Sequence, residues 1–164
     1  MYPKYIQLFE EYNQTIKSQI EENSHTWSQI RDAVQTRLPY IIITFTTRDS
    51  YLNALNSYFK EYDYIKQTAV LSKNGKLVDY PSIVIILDND VSFKNKIQNI
   101  FNQFKIKSII LGKKGEESAD VYYQDGSVSS AGNEIVSSTS LDDMDNDPHF
   151  KIGSTYYKFI DFAN

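Results

Sequence analysis

Hydrophobic positions are densest over residues 82–112, where two short apolar runs flank a stretch with helical spacing. Residues 82–87 are too apolar for a half-exposed strand and too short for a helix, which predicts a buried strand. Residues 106–111 predict a second one, closed by Gly112. The apolar residues between them fall on one helix face: Phe93, Ile97, Ile100, Phe101 and Phe104. The pattern predicts a β-α-β unit whose strands lie side by side.

Upstream of this unit, apolar residues recur every three or four positions over residues 3–22 and 24–38, which predicts a pair of helices ending at Pro39. Strands are predicted at residues 40–45 and 64–72, with a helix at 51–62 between them. Asn74-Gly75 is a strong hairpin signal. The return strand, residues 77–80, is expected to stop at Pro81, as an edge or a bend.

Downstream, residues 120–123 predict a strand followed by a tight turn at Asp125-Gly126. Residues 127–147 are rich in Ser, Gly, Asn and Asp and nearly free of apolar side chains, which predicts a long loop. The end of the chain, from Phe150 to Phe162, has the pattern of a hairpin whose last strand closes a sheet edge.

This order of elements predicts an α+β fold, a ferredoxin-like (split β-α-β) two-layer sandwich with two helices on one face of an antiparallel sheet. It would carry an N-terminal helical hairpin and a C-terminal β-hairpin extension. A mixed α/β sheet with the helices on opposite faces is the alternative. We expect one globular domain with three parts: a helical pair (1–38), an α/β core (39–126), and an acidic loop with a closing hairpin (127–164).

Composition narrows the class of protein. The 164 residues contain no cysteine, which excludes disulfides, thiolate metal sites and a cysteine nucleophile. No apolar run reaches the roughly 20 residues of a membrane span, and the N-terminus has no secretory signal pattern, so we expect a location in the host cytoplasm or in a virion. Lys outnumbers Arg, and Ile, Asn and Tyr are abundant, which suits a low-GC genome such as that of many phages. Charge is uneven, because residues 115–164, including the acidic loop at 134–147, are strongly negative.

Two carboxylates follow the central buried strand, at the end where open α/β sheets place their ligands. Asp88 and Asp90, joined by Asp120, would offer oxygen ligands to Mg²⁺. This is the basis of one alternative, a metal-dependent phosphoesterase or nucleotide-acting enzyme. The competing interpretation, which we favour, is that Asp90 caps the helix that begins near Val91.

Four lysines flank the predicted helix in the 82–112 unit and suggest a nucleic-acid-binding module as a second alternative: Lys94, Lys96, Lys105 and Lys107. The predicted central strands are aliphatic apart from Phe45, without the exposed rings of RNA-binding sheets, and the pI is about 5.2. A solvated helix face is therefore the preferred interpretation. Neither histidine, His25 or His149, has a metal-ligand spacing, and no nucleophile elbow is present.

Residues 40–112 resemble a small family of uncharacterised bacterial and phage domains. The resemblance rests on an opening Ile43-Thr44 strand, a helix containing Leu52 and Leu55, a later strand at Pro81-Ser82-Ile83, and Gln103-Phe104 before another apolar strand. In that family the opening strand runs into Asn-Pro, where this chain has Thr46-Thr47. The resemblance implies an accessory protein and carries no catalytic residue.

Taken together, these patterns predict a non-enzymatic interaction protein, phage- or mobile-element-encoded, acting as an accessory factor or minor virion component. No catalytic residue and no cofactor are assigned. The abundant tyrosines and the acidic loop suit contact with a protein partner, since Tyr is enriched at interfaces. Self-association is left open, and a nucleic-acid partner is the lesser expectation.

Overall fold

The computed structural model describes residues 27–162, which fold into five short helices and nine strands. The predicted helix at residues 3–22 lies outside this range. The helices are α1 (residues 27–35), α2 (Arg48–Asn56), α3 (Asp90–Lys94), α4 (Ile97–Gln103) and the 3-10 helix η1 (Leu141–Met144). The strands are β1 (Tyr40–Phe45), β2 (Ile65–Lys73), β3 (Lys76–Ile86), β4 (Ile106–Gly112), β5 (Ser118–Tyr123), β6 (Val128–Gly132), β7 (Ile135–Ser138), β8 (His149–Ile152) and β9 (Thr155–Phe159).

All nine strands belong to one antiparallel sheet, in the order β6-β5-β4-β1-β3-β2-β8-β9-β7. The sheet curls into a half-barrel. The predicted ferredoxin-like two-layer sandwich is therefore wrong, because the C-terminal strands extend the same sheet and cover its inner face instead of forming an appended hairpin. The mixed-sheet alternative is wrong too, since no pair is parallel and α2, α3 and α4 share one face.

Ring contacts across the interior show how strongly the sheet curls. Tyr40 on β1 stacks on Phe159 of β9 with ring centroids 6.1 Å apart, although four strand spacings, about 19 Å, separate these strands along the sheet. The two edge strands also meet at one corner, because only two residues join β6 to β7. There Gly132 N donates to Ile160 O at 2.8 Å, and Ile160 N donates to Glu134 O at 3.1 Å.

The curled sheet separates two hydrophobic cores. The inner core lies on the concave face, where Ile30 and Val34 of α1 pack against side chains from β1–β6, β8 and β9. The outer core lies on the opposite face, between β1, β3 and β4 and the helices α2, α3 and α4. Strands β1, β3 and β4 contribute side chains to both cores, because successive residues of a strand point to opposite faces of the sheet; on β1, Tyr40 and Ile42 face inward while Ile41 and Ile43 face outward.

The β-α-β unit predicted at residues 82–112 differs from its prediction in three respects. β3 and β4 lie in one sheet but are not neighbours, because β1 pairs with both. All six residues of β1 are buried, so this strand needs partners on both edges and cover on both faces. The connecting segment is also two short helices, broken at Asn95 and Lys96, although the five apolar residues predicted on one helix face all lie in the outer core. Asn89 caps the first of them, where Asp90 had been expected to do so.

The hairpin at Asn74-Gly75 is confirmed, with both residues at positive φ. The interruption at Pro81 is wrong, since β3 runs through it as a central strand. The pairing of β3 with β1 ends at Ser82, the residue after Pro81. Because Pro81 lies outside this pairing, its lack of an amide hydrogen removes no hydrogen bond between β3 and β1. Helix α2 begins earlier than predicted, with Thr47 Oγ1 accepting from Ser50 N at 3.2 Å, and it ends earlier as well.

The predicted loop at 127–147 is wrong in part, because it contains β6, β7 and η1. β6 and β7 are the sheet edges and bury a single residue between them, Ala131, so no alternation of apolar residues marks them. The terminal hairpin β8–β9 is confirmed. Its last strand does not close the edge, since β7 pairs along its outer side.

Candidate functional site

The three predicted metal-binding carboxylates are not brought together. Asp88 and Asp90 lie at the end of β3 and the start of α3, whereas Asp120 lies on β5. β1 and β4 separate those strands, three spacings or about 14 Å. Asp120 instead pairs with Lys113 at 3.3 Å. Across the described residues, no group of three His, Asp or Glu side chains is placed as a metal ion requires.

The four predicted nucleic-acid lysines do not form one surface. Lys96 belongs to the helical layer on the outer face, where its Nζ donates to Tyr62 OH at 3.3 Å. Lys107 reaches the opposite side of the sheet, to Ser72 O at 3.4 Å and over the Tyr80 ring at 5.5 Å. Lys94 and Lys105 are exposed near the two ends of the α3–α4 segment.

The outer face of the sheet is only half covered by helices. α2, α3 and α4 cover β1, β4 and the second half of β3. Beyond α2, the outer faces of β2 and β8 and the first half of β3 form an open groove of about 930 Å³, which we term the outer groove. Antiparallel pairing builds its floor, with Thr68 opposite both Pro81 on β3 and Lys151 on β8.

Three exposed cations from separate elements line the outer groove. Arg48 comes from α2, Lys66 from β2 and Lys151 from β8, and none of them forms an ion pair with a described residue. Asp79 on β3 is the one carboxylate in the lining. An excess of unpaired positive charge in a concave surface concentrates field there and favours an anionic ligand.

Tyrosine rings lie beside these cations. Arg48 sits 5.8 Å from the centre of the Tyr51 ring, and Lys151 sits 5.5 Å from that of Tyr156. Burial raises the pKa of the Tyr51 phenol, an effect that the neighbouring Arg48 partly offsets and Tyr64 reinforces. The Tyr51 phenol is therefore a neutral hydrogen-bonding group at physiological pH, and the positive charge of the groove comes from its basic residues.

A smaller pocket of about 370 Å³, which we term the side pocket, adjoins the outer groove and shares Thr68, Asp79 and Lys151 with it. Its further lining is mostly apolar: Val70, Leu77, Leu141, Met144, Asn146, His149 and Tyr156. The 3-10 helix η1 forms one wall by placing fully buried Met144 over the sheet. We term η1 and the residues that follow it to Asp147 the cover. Lys158 holds the cover in place by donating to Asp147 Oδ2 at 2.9 Å and to Met144 O at 3.3 Å.

His149 lies on β8 at the side pocket and is only 2% exposed. Its Nδ1 is 2.8 Å from the carbonyl oxygen of Asp147. Because a carbonyl can only accept, Nδ1 carries the hydrogen and, in the neutral ring, Nε2 is an acceptor. Nε2 has no hydrogen-bond partner among the described residues.

The outer groove could not be found from the sequence, because its residues share no local spacing. Lys66 and Lys151 are brought together by the pairing of β2 with β8, two strands about 80 positions apart in the chain, and Arg48 comes from the separate helix α2. The one available signal was weak: Lys151 is one of two basic residues in an otherwise acidic C-terminal segment.

No family model, no curated protein and no solved structure matches this chain. The resemblance of residues 40–112 to uncharacterised bacterial and phage domains therefore stays a prediction. None of the helices in the described part of the chain has the length and apolar character that crossing a bilayer requires.

Proposed function

We propose that this chain is a non-enzymatic binding protein that holds a segment of a partner protein in the outer groove. The observation that carries this proposal is the convergence of Arg48, Lys66 and Lys151 on one open surface lined by tyrosines, all three exposed and without an ion pair to any described residue. Tyr and Arg are the residue types most enriched where proteins bind one another. The apolar side pocket beside the groove adds a place for an anchoring side chain.

The proposal extends to the setting in which the protein works. A phage- or mobile-element-encoded accessory factor, in the host cytoplasm or as a minor virion component, would use such a groove to capture a host or virion protein. The metal-dependent phosphoesterase alternative gains no support from the positions of Asp88, Asp90 and Asp120. A nucleic-acid strand would satisfy the same cations, and the test below distinguishes it.

Site-specific photo-crosslinking tests the proposal. A photoreactive phenylalanine analogue at Thr68, on the groove floor, is expected to give discrete protein adducts in host cells. The same analogue at Gln98, exposed on α4, is the control and should give none of these adducts. Changing Arg48, Lys66 and Lys151 together to Glu should remove the Thr68 adducts without unfolding the protein, because all three side chains are exposed.

Three results contradict the proposal. Adducts that persist in the triple Glu variant would show that the groove cations do not recruit the partner. Adducts sensitive to nuclease and resistant to protease would identify a nucleic acid instead. An adduct of twice the chain mass, with a dimer in light scattering, would identify a second copy of this chain as the occupant.

A further inference from the structure

The side pocket combines apolar walls with one buried, unsatisfied acceptor. Val70, Leu77 and Leu141 contribute aliphatic surface, and His149 lines the pocket with no hydrogen bond to its Nε2 from any described residue. A buried polar atom without a hydrogen bond destabilises the unbound protein, so a ligand group that satisfies it gains affinity. The acceptor character of Nε2 requires that this group be a donor.

An aromatic ring with a hydroxyl at its tip fits this arrangement. A phenol places an apolar ring against the aliphatic walls and a donor at the far end, and it loses little conformational freedom on binding. The volume of about 370 Å³ accommodates one such side chain. The Tyr156 ring, whose centroid lies 5.8 Å from that of His149 in an edge-on arrangement, provides an aromatic surface for it.

The side pocket and the outer groove form one continuous surface. They share Thr68, Asp79 and Lys151, so a chain segment leaving the pocket passes directly over the unpaired cations. A segment with Asp or Glu residues next to its anchor would meet Lys151 first, then Lys66 and Arg48. Charge complementarity therefore selects an acidic segment.

From these observations we infer that the partner segment is acidic and carries a tyrosine, which enters the side pocket and donates its hydroxyl hydrogen to His149 Nε2. The carboxylates of the segment pair with Lys151, Lys66 and Arg48 in the outer groove. This inference rests on the proposed function and specifies the chemistry of the partner.

Fluorescence anisotropy with labelled peptides at about pH 8 tests the inference. The probes are acidic peptides of about twelve residues, rich in Glu and Ser, with a central Tyr, Phe or Ala. We expect the Tyr peptide to bind about three- to ten-fold more tightly than the Phe peptide, the effect of one hydrogen bond. The Ala peptide should bind more weakly than both, and replacing Glu with Gln should weaken binding and reduce its salt dependence.

Two pairs of protein variants serve as matched controls. Leu141→Asp places a charge at the side pocket and should abolish the preference for Tyr, whereas Val128→Asp, on the distant edge strand β6, should not. These two residues are 54% and 56% exposed, so neither change threatens the core. Lys151→Glu should weaken binding of all acidic peptides, whereas Lys94→Glu, on α3, should not.

The outcomes separate this inference from the proposed function. Equal affinities for the Tyr and Phe peptides would overturn the role of His149 and leave the groove as a binding surface. Failure of every peptide to bind, while crosslinking from Thr68 still requires the groove cations, would overturn the acidic tyrosine segment alone. Stronger binding of an oligothymidylate that displaces the peptides would overturn both.

Discussion

At the scale of single residues, the interior of the half-barrel combines a polar row with close aromatic packing. The row crosses four adjacent strands, because Ser108, Thr44, Ser82 and Gln67 are register partners in turn. Thr44 Oγ1 donates to Ser82 Oγ at 3.2 Å, Gln67 Nε2 donates to Ser82 Oγ at 3.1 Å, and Tyr157 OH donates to Gln67 Oε1. Such a row fixes strand register, since a slip by one residue would bury these groups without partners.

Gly112 is required because the Tyr40 ring packs against it, and not because its backbone adopts a conformation that favours glycine. A Cβ at this position would lie 2.1 Å from Cε1 of the Tyr40 ring. Gly112→Ala should therefore displace the ring and break its hydrogen bond to Asn133 Oδ1, now 2.6 Å, at a cost of about 3 kcal/mol in unfolding free energy. Urea denaturation measures this loss. In the Tyr40→Leu background the same substitution should cost clearly less, and an equal cost in both backgrounds would show that the clash is relieved elsewhere.

Two buried tyrosines predict alkaline unfolding. Burial raises the pKa of Tyr40 and of Tyr157 above the ordinary value of 10.0. The charge of Arg37 lowers the pKa of Tyr40, and the hydrogen bond to Gln67 lowers that of Tyr157, but in both cases the effect of burial is larger. A group whose pKa is higher in the folded state contributes stability that is complete below the unfolded pKa and is lost as pH rises. Above pH 10, the unfolding free energy should fall by about 1.4 kcal/mol per pH unit for each tyrosine.

Urea unfolding between about pH 8 and pH 11.5 measures this dependence, and Tyr40→Phe serves as the control because it removes one of the two contributions and should reduce the slope. Absorbance of phenolate should appear for these residues only together with unfolding. Ionisation of all tyrosines near pH 10 in a folded protein would contradict the prediction.

At the scale of elements, the sequence pattern correctly predicted those helices and strands whose formation depends on residues close together in the chain. The β1 strand, the Asn74-Gly75 hairpin and the buried face of the α3–α4 segment follow from short-range signals, and the structure confirms each of them. β6 and β7 were missed because they are stabilised by pairing at the two edges rather than by burial, so their residues are small and polar. The outer groove was missed because it also depends on strand pairing: Lys66 and Lys151 lie near one another because β2 pairs with β8, and no local pattern in the sequence predicts that pairing.

The cover formed by η1 depends on one lysine. Hydrogen bonding to Asp147, aided by the charge of Asp145 at 3.7 Å, raises the pKa of Lys158. Lys158→Met should release the cover, and backbone amides of residues 139–147 should exchange hydrogen about ten-fold faster. Because the carboxylates are largely exposed, total stability should fall by less than about 1 kcal/mol.

Hydrogen–deuterium exchange read by mass spectrometry measures this effect, with Lys151→Met as the matched control on the neighbouring strand. Unchanged exchange in residues 139–147 would show that Met144 alone holds the cover. Release of the cover should also weaken binding of the tyrosine peptide, because Leu141 would no longer form a wall of the side pocket.

At the scale of the whole molecule, the packing of the half-barrel links all of its strands to one another. The buried side chains of the inner core come from α1 and eight of the nine strands, and Ile135 of β7 packs against them. The corner between β6 and β7 connects the two edges of the sheet. Loss of any strand therefore exposes the core to which the others belong. This arrangement predicts a single unfolding transition for both cores.

Trp27 makes this prediction measurable, because it is the one tryptophan of the chain and its ring centroid lies 5.0 Å from that of Tyr157 in the inner core. In urea, Trp27 fluorescence and far-UV circular dichroism should change with the same midpoint and slope. A variant with Trp27→Phe and Tyr62→Trp moves the fluorescent probe to the outer core, where Tyr62 packs against Phe59 and Phe93. The fluorescence of this variant should change with the same midpoint and slope as its far-UV circular dichroism. An earlier Trp27 transition would show that α1 leaves the concave face before the sheet unfolds. An earlier transition at position 62 would show that the helical layer is the weaker half.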